Sequence, residues 1–185
     1  MRRILVAGAL TLLAIMLTTS CQLRAQDHPQ PVTRSTSQVG TPTGEPPRTQ
    51  SVTVYLIRKE RLVAVVRAVE PGTDRLTSAL RALVRSVDAA ERRQDLRSLL
   101  PANTAAPVWR VEPDGLRLEL PETFDGLDTQ DQVLAVAQVV YTVTENSDAD
   151  RVAFIRQGLP VDVPDADGRL LTRPVTRQDY GRFAD

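Results

Sequence analysis

The 185-residue sequence predicts one α+β domain, an antiparallel or mixed β-sheet packed by two main helices. Three observations predict it. Short runs of β-branched residues come in pairs around polar turns. Two longer segments repeat apolar residues at helical spacing. A Pro-Asp-Gly sequence at 113–115 sits between apolar runs, with Pro presetting the turn and Gly supplying positive φ. Hydrophobic residues make up 42% of the chain and charged residues 25%, the mix of a globular protein.

The elements follow in order. Ser51–Arg58 and Leu62–Val69 read as a hairpin broken by Lys59-Glu60-Arg61, and both faces are apolar enough to be covered at least in part. Pro71-Gly72 end it. Leu76, Leu80, Leu83, Val84 and Val87 then lie on one helical face, with Thr73 or Asp74 placed as cap. Asp88 with Glu91 is a capping box for a second short helix, after which Leu96, Leu99 and Leu100 fold back on the core. Val108–Val111 and Leu116–Leu120 form the hairpin around the Pro-Asp-Gly turn. A long helix follows over about 130–145, capped by Thr129 with Gln132. Only Asp131, Gln138, Thr142 and Glu145 keep a polar stripe on it, so it is expected to be buried nearly all round. Arg151–Gln157 is another strand, and Gly158 turns the chain into Pro160–Val163. Asp165-Ala166-Asp167-Gly168 lacks the further oxygen ligands of a calcium loop and reads as a polar turn. Thr176 and Asp179 cap a helical turn that presents Tyr180 and Phe183.

Ahead of the domain the texture changes. Arg2 and Arg3 precede an uncharged run from Ile4 to Thr19, and small residues lead into Cys21. A basic start, an apolar run and small residues before a processing point describe a secretory signal over 1–20. The run is short for a span, which needs roughly 20 apolar residues. Cys21 is the sole cysteine, so no internal disulfide can form. Its setting resembles the bacterial lipobox, in which cleavage precedes a cysteine that carries diacylglycerol. Thr18 stands three residues ahead where that pattern usually has Leu, and Leu17 is one further back. The resemblance implies lipid attachment at Cys21 and a membrane-anchored chain on the extracytoplasmic face; each buried methylene contributes about 0.8 kcal/mol to such an anchor. Residues 21–50 are rich in Pro, Ser and Thr, with no apolar periodicity, and read as a flexible tether. A coil of about 29 residues reaches on the order of 30 Å.

Composition narrows the function classes. Arg2 and Arg3 leave with the first twenty residues, so 21 basic residues face 23 acidic ones, a net charge of about −2. No basic field recruits nucleic acid. The sole histidine, His28, lies in the tether and the sole cysteine at the lipidation point, so neither serves a nucleophilic catalytic set. No zinc-ligand cluster and no glycine-rich phosphate loop is visible, so no metal and no cofactor is expected. Glu119, Glu122, Asp125 and Asp128 read as a solvated, helix-capping edge rather than paired hydrolytic carboxylates.

The run Gln132–Glu145, then Asp150-Arg151-Val152 with Phe154, then Gly158-Leu159-Pro160-Val161, resembles the GerMN domain of sporulation and spore-germination lipoproteins. Val52–Leu56, Leu80–Leu83 and Arg173–Arg177 fit the same pattern. The resemblance implies a non-enzymatic extracytoplasmic module over 51–164, similar in fold to ring-building motifs, with a C-terminal tail over 165–185. It carries over no catalytic residues. Two roles outside catalysis are expected. The first is binding an envelope protein or self-association. The second is capture of a glycan or peptidoglycan fragment, with Trp109, Tyr55 and Tyr180 as stacking candidates. Cell-wall hydrolysis is a third, weaker expectation.

Overall fold

The computed structural model describes residues 49–102 and 105–184. The expected signal segment, Cys21, His28 and nearly all of the expected tether lie outside the described residues.

Strands β1 (Gln50–Arg58) and β2 (Arg61–Val69) pair antiparallel from Gln50↔Val69 to Arg58↔Arg61. The turn is Lys59-Glu60 alone, with φ of 48° and 62°. Two positive-φ residues give the turn whose twist matches a hairpin, so Arg61 belongs to the strand. Val52, Val54 and Leu56 are buried on one face. On the other face Ile57 and Leu62, at the turn end, are buried and Tyr55 is half-buried, while Val66 is 70% exposed.

Helix α1 (Arg75–Leu83) starts at Asp74, whose carboxylate accepts the Thr77 N–H at 2.8 Å. Of the two expected caps it is therefore Asp74 that acts. The helix buries Leu76, Leu80 and Leu83 and stops before Val87, which the apolar spacing had included. Helix α2 (Ala89–Arg93) has the expected capping box between Asp88 and Glu91. Glu91 also does something a capping box does not require. It is buried and takes both ends of the Arg67 guanidinium from β2, at 2.8 and 2.6 Å. Arg67 donates as well to the Ala82 carbonyl at the end of α1. One buried ion pair thus ties the hairpin to both short helices.

Strands β3 (Trp109–Glu112), β4 (Gly115–Glu119), β5 (Val152–Arg156) and β6 (Leu159–Pro160) form a mixed sheet in the order β3-β4-β5-β6. Its β4–β5 pair is parallel and the other two are antiparallel. A parallel pair needs a long crossover, which is helix α3 (Thr129–Asn146). Asp128, not Thr129, is its N-cap, accepting the Asp131 N–H at 2.8 Å; the expected box was one residue late. Twelve of its eighteen residues are buried, and α1, β1 and the C-terminal segment pack around it.

The polar residues of α3 are where the structure departs most from the periodicity. Gln138 and Thr142, expected on a polar stripe, are wholly buried, as is Asn146 at 4% exposure. Spaced four apart, the three share one face, and Asn146 and Thr142 take the place of a strand on the open edge of β1. Asn146 Nδ2 donates to the Thr53 carbonyl (2.6 Å), its Oδ1 accepts the Thr53 N–H (3.3 Å), and Thr142 Oγ1 accepts the Tyr55 N–H (3.0 Å). Further along that edge Ile57 exchanges both backbone bonds with Arg97 at 2.8 Å. Gln138 holds the same incoming segment at Ser98 and Leu99. Buried backbone groups must be paired somewhere, and here helix side chains do it.

The segment that follows the Gly158 turn is divided between two sheets. Leu159-Pro160 closes the mixed sheet, and β7 (Val163–Pro164) pairs with β8 (Leu170–Leu171). Between them Asp165 Oδ1 accepts the Asp167 and Arg169 N–H groups at 2.8 and 2.9 Å, which makes 165–168 a side-chain-braced turn. A 3₁₀ helix (Arg177–Phe183) carries the expected Thr176–Asp179 box. This segment is more than a tail. Val175 bridges to Val152, and Val175, Tyr180 and Phe183 all enter the core.

Candidate interaction surface

A large groove of about 730 Å³ lies where the β3–β4 turn, the start of α1 and the loop after α3 meet. Its apolar floor continues the core. Trp109 and Val111 pair across with Leu118 and Leu116, and both leucines are fully buried, so all four side chains lie on the core face of the sheet. Trp109 is half-buried and donates from Nε1 to Thr77 Oγ1 at 3.3 Å, which fixes the ring beside α1. Val111 is 74% exposed although it lies on the core face.

The turn that shapes this end uses Gly115 twice. Its φ is +132°, and a Cβ there would stand 2.8 Å from the Arg151 carbonyl oxygen, the atom that accepts the Leu116 N–H. Only glycine lets β4 approach the loop so closely. The rim is acidic. Asp74, Glu112, Asp114, Asp148 and Asp150 line it against two arginines, Arg75 and Arg151. Three of the carboxylates are engaged: Asp74 caps α1, Asp114 lies 3.8 Å from Arg117, and Asp150 lies 3.7 Å from Arg151. Glu112 and Asp148 have no cationic partner among the described residues.

A second, shallower hollow of about 570 Å³ shares the same loop and reaches Arg177. Arg177 is already occupied. Its guanidinium lies 4.9 Å from the Tyr141 ring centroid and 5.7 Å from that of Tyr55. It also donates to Thr144 Oγ1 and to Glu145, each at 2.6 Å. Glu145 is held below the usual carboxylate range, chiefly by this Arg177 hydrogen bond.

The three stacking candidates separate. Tyr180 is wholly buried, donating its hydroxyl to the Pro164 carbonyl at 2.7 Å, and burial pushes that hydroxyl far above its ordinary pKa. It cannot stack on a ligand. Tyr55 packs edge-on to Tyr141 at 5.2 Å and donates to Glu145 at 3.3 Å. Only Trp109 lines the large groove. The four acidic residues also disperse. Asp125 forks onto Arg156 (2.7 and 3.0 Å), Asp128 caps α3, Glu119 accepts the Gln157 N–H, and Glu122 opens an unexpected 3₁₀ turn over Glu122–Gly126. No group of three or more His, Cys, Asp or Glu among the described residues is arranged to hold a metal ion. Among the same residues no helix is long and apolar enough to cross a membrane.

Comparison with known proteins places this architecture. The profile of the Germane family, described as sporulation and spore germination, matches residues 42–162. Among solved structures, the tandem GerMN domains of the sporulation protein GerM from Bacillus subtilis superpose with a TM-score of 0.58 at 24% identity, covering 71% of this chain. The chain covers 47% of that two-domain protein, about half its length. The first GerMN domain of the same protein gives a TM-score of 0.52 at 20% identity, covering 70% of this chain and 99% of that one. No curated protein sequence matches significantly. At such identities the structural likeness speaks for the fold, and the profile match spans well over half of the chain. The protein belongs to the Germane family of sporulation and spore germination domains, in its GerMN fold.

Proposed function

We infer that this chain is a lipid-anchored extracytoplasmic protein whose GerMN domain works by contact with another envelope protein, in sporulation, germination or a related envelope process, and performs no bond chemistry. The observation that carries the non-catalytic reading is how the buried polar groups are used. Arg67 and Glu91 pair with each other, and Gln138, Thr142 and Asn146 serve backbone groups. A catalytic site instead keeps a shifted acid or base aimed into a cleft. The large groove offers backbone, apolar surface and carboxylates, the materials of recognition.

Anchoring rests on the sequence around Cys21. The family supports the sporulation or germination context. Capture of a small glycan is less favoured, because stacking sites need rings in one groove, and Tyr55 and Trp109 do not share one. The test is crosslinking in intact cells with a photoreactive group at exposed positions of the domain. A discrete envelope neighbour is expected. A chain that crosslinks to nothing, or whose purified form turns over a cell-wall substrate with loss of turnover on a single carboxylate-to-amide change, contradicts the reading.

A further inference from the structure

We propose that the open edge of β3 is a strand-docking site for an extended, basic segment of a partner protein. This rests on the protein-binding reading above and names the partner's chemistry.

The backbone supplies the first argument. Glu112 and Gly115 close the β3–β4 hairpin, and Glu119 N–H reaches the Val108 carbonyl. In an antiparallel pair, bonding to the neighbour alternates along the strand. Val108, Arg110 and Glu112 therefore turn their backbone groups to β4, and Trp109 and Val111 turn theirs outward. β3 ends the sheet order, so those outward groups meet no strand among the described residues. On the hairpin sheet, by contrast, the β1 edge is filled by Asn146, Thr142 and Arg97. An unpaired edge beside a groove is the geometry that accepts an added strand.

The side chains supply the second argument. Val111 lies on the core face of the sheet with three-quarters of its surface uncovered, over the floor made by Leu76 and Leu116. A strand added at this edge would turn every second residue toward the groove, so the one over Leu76 and Leu116 should be apolar. Charge supplies the third. Five carboxylates against two arginines line the groove, and Glu112 and Asp148 lack cationic partners among the described residues. Lysine or arginine two residues to either side of the apolar one, on the same face of the segment, complements that rim. A second copy of this chain offers the same acidic rim and is disfavoured by repulsion of like charges.

The chain reports on this site itself, because Trp109 is its only tryptophan. The full-length chain is titrated with three synthetic eight-residue peptides: Lys-Thr-Val-Thr-Lys-Thr-Val-Thr (the Lys-Val peptide), the same with Glu in place of Lys (the Glu-Val peptide), and the Lys-Val peptide N-methylated at every residue. The expected result is a saturable change in Trp109 emission with the Lys-Val peptide alone, weakened by added salt. In a variant carrying Glu112→Gln, half-buried on the rim, and Asp148→Asn, exposed on it, affinity should fall by about tenfold or more. Equal binding of the N-methylated peptide overturns strand addition, and since only the peptide is altered, that arm is independent of any effect on folding. Equal binding of the Glu-Val peptide overturns the charge assignment. No binding of any peptide, or a dimer in sedimentation that Val111→Lys dissolves, overturns the proposal as a whole. If the peptides fail while crosslinking in cells still recovers a neighbour, the binding-module reading stands and only this site falls.

Discussion

At the scale of single residues, the Arg67–Glu91 pair is a sensitive point of the domain, because both groups are buried. Two charges taken out of water gain little beyond what an apolar pair would give, yet removing one partner strands the other. Glu91→Ala is expected to cost roughly 3–5 kcal/mol in denaturant unfolding. The pair also sets a pH dependence. Burial raises the Glu91 pKa, but hydrogen bonds from Arg67 and the Asp88 N–H outweigh it and hold the carboxyl below its ordinary 4.5. A carboxylate depressed in the folded state contributes stability that is present above its unfolded pKa and lost as pH falls through the folded one. Stability should therefore decline as pH drops below about 4.5, and Glu91→Gln should flatten that decline while lowering stability at pH 7. Equal acid slopes for the two proteins would show that the pair is not the group responsible. Tyr180 separates a hydrogen bond from packing. Tyr180→Phe removes only the bond to Pro164 and should cost about 1 kcal/mol, whereas Tyr180→Ala should cost about 3–5 kcal/mol.

At the scale of elements, α3 bears the clearest prediction. Asn146→Ala leaves the N–H and C=O of Thr53 without their partner, at about 1–3 kcal/mol for a buried group left unpaired. Hydrogen exchange should quicken at Thr53 before it does in the interior of α3; uniform quickening would mean that Asn146 supports the helix and not the strand edge. Much at this scale was legible in the sequence. Both hairpins, the two main helices, the Asp88–Glu91 and Thr176–Asp179 boxes and the Pro-Asp-Gly turn all stand where spacing and turn chemistry put them. What was not legible shares a physical cause. Periodicity counts Gln138 and Thr142 as polar and so assigns them to solvent, yet it cannot see that unpaired backbone will lie against them, the β1 edge at Thr142 and the 98–99 segment at Gln138. Arg67 was hidden likewise, because it alternates as a strand residue and its partner is 24 positions away. The groove was out of reach for the same reason. Trp109 could be read as a half-buried anchor, but the acidic rim comes from segments as far apart as Asp74 and Asp150.

At the scale of the whole molecule, the C-terminal segment belongs with the core that it closes. Residues 165–185 contribute Val175, Tyr180 and Phe183, and Asp179 is held by Arg173 and Thr176 below the usual carboxylate range. A chain ending at Pro164 should lose cooperative unfolding, read by circular dichroism during heating; an unchanged transition would mean that the segment only decorates the fold. The domain so closed buries its polar groups in structural bonds and offers an open strand edge with an acidic groove. That is the form expected of a part that works by touching another protein. Such a part depends on being held in the right place, and we propose that a lipid on Cys21 holds it. The most direct test is metabolic labelling with a fatty-acid precursor, comparing the native chain with Cys21→Ser in cell fractions. Label is expected on the native chain in the membrane fraction, with an unlabelled Cys21→Ser chain released and its domain still folded. An unlabelled native chain recovered from the cytosol would contradict it.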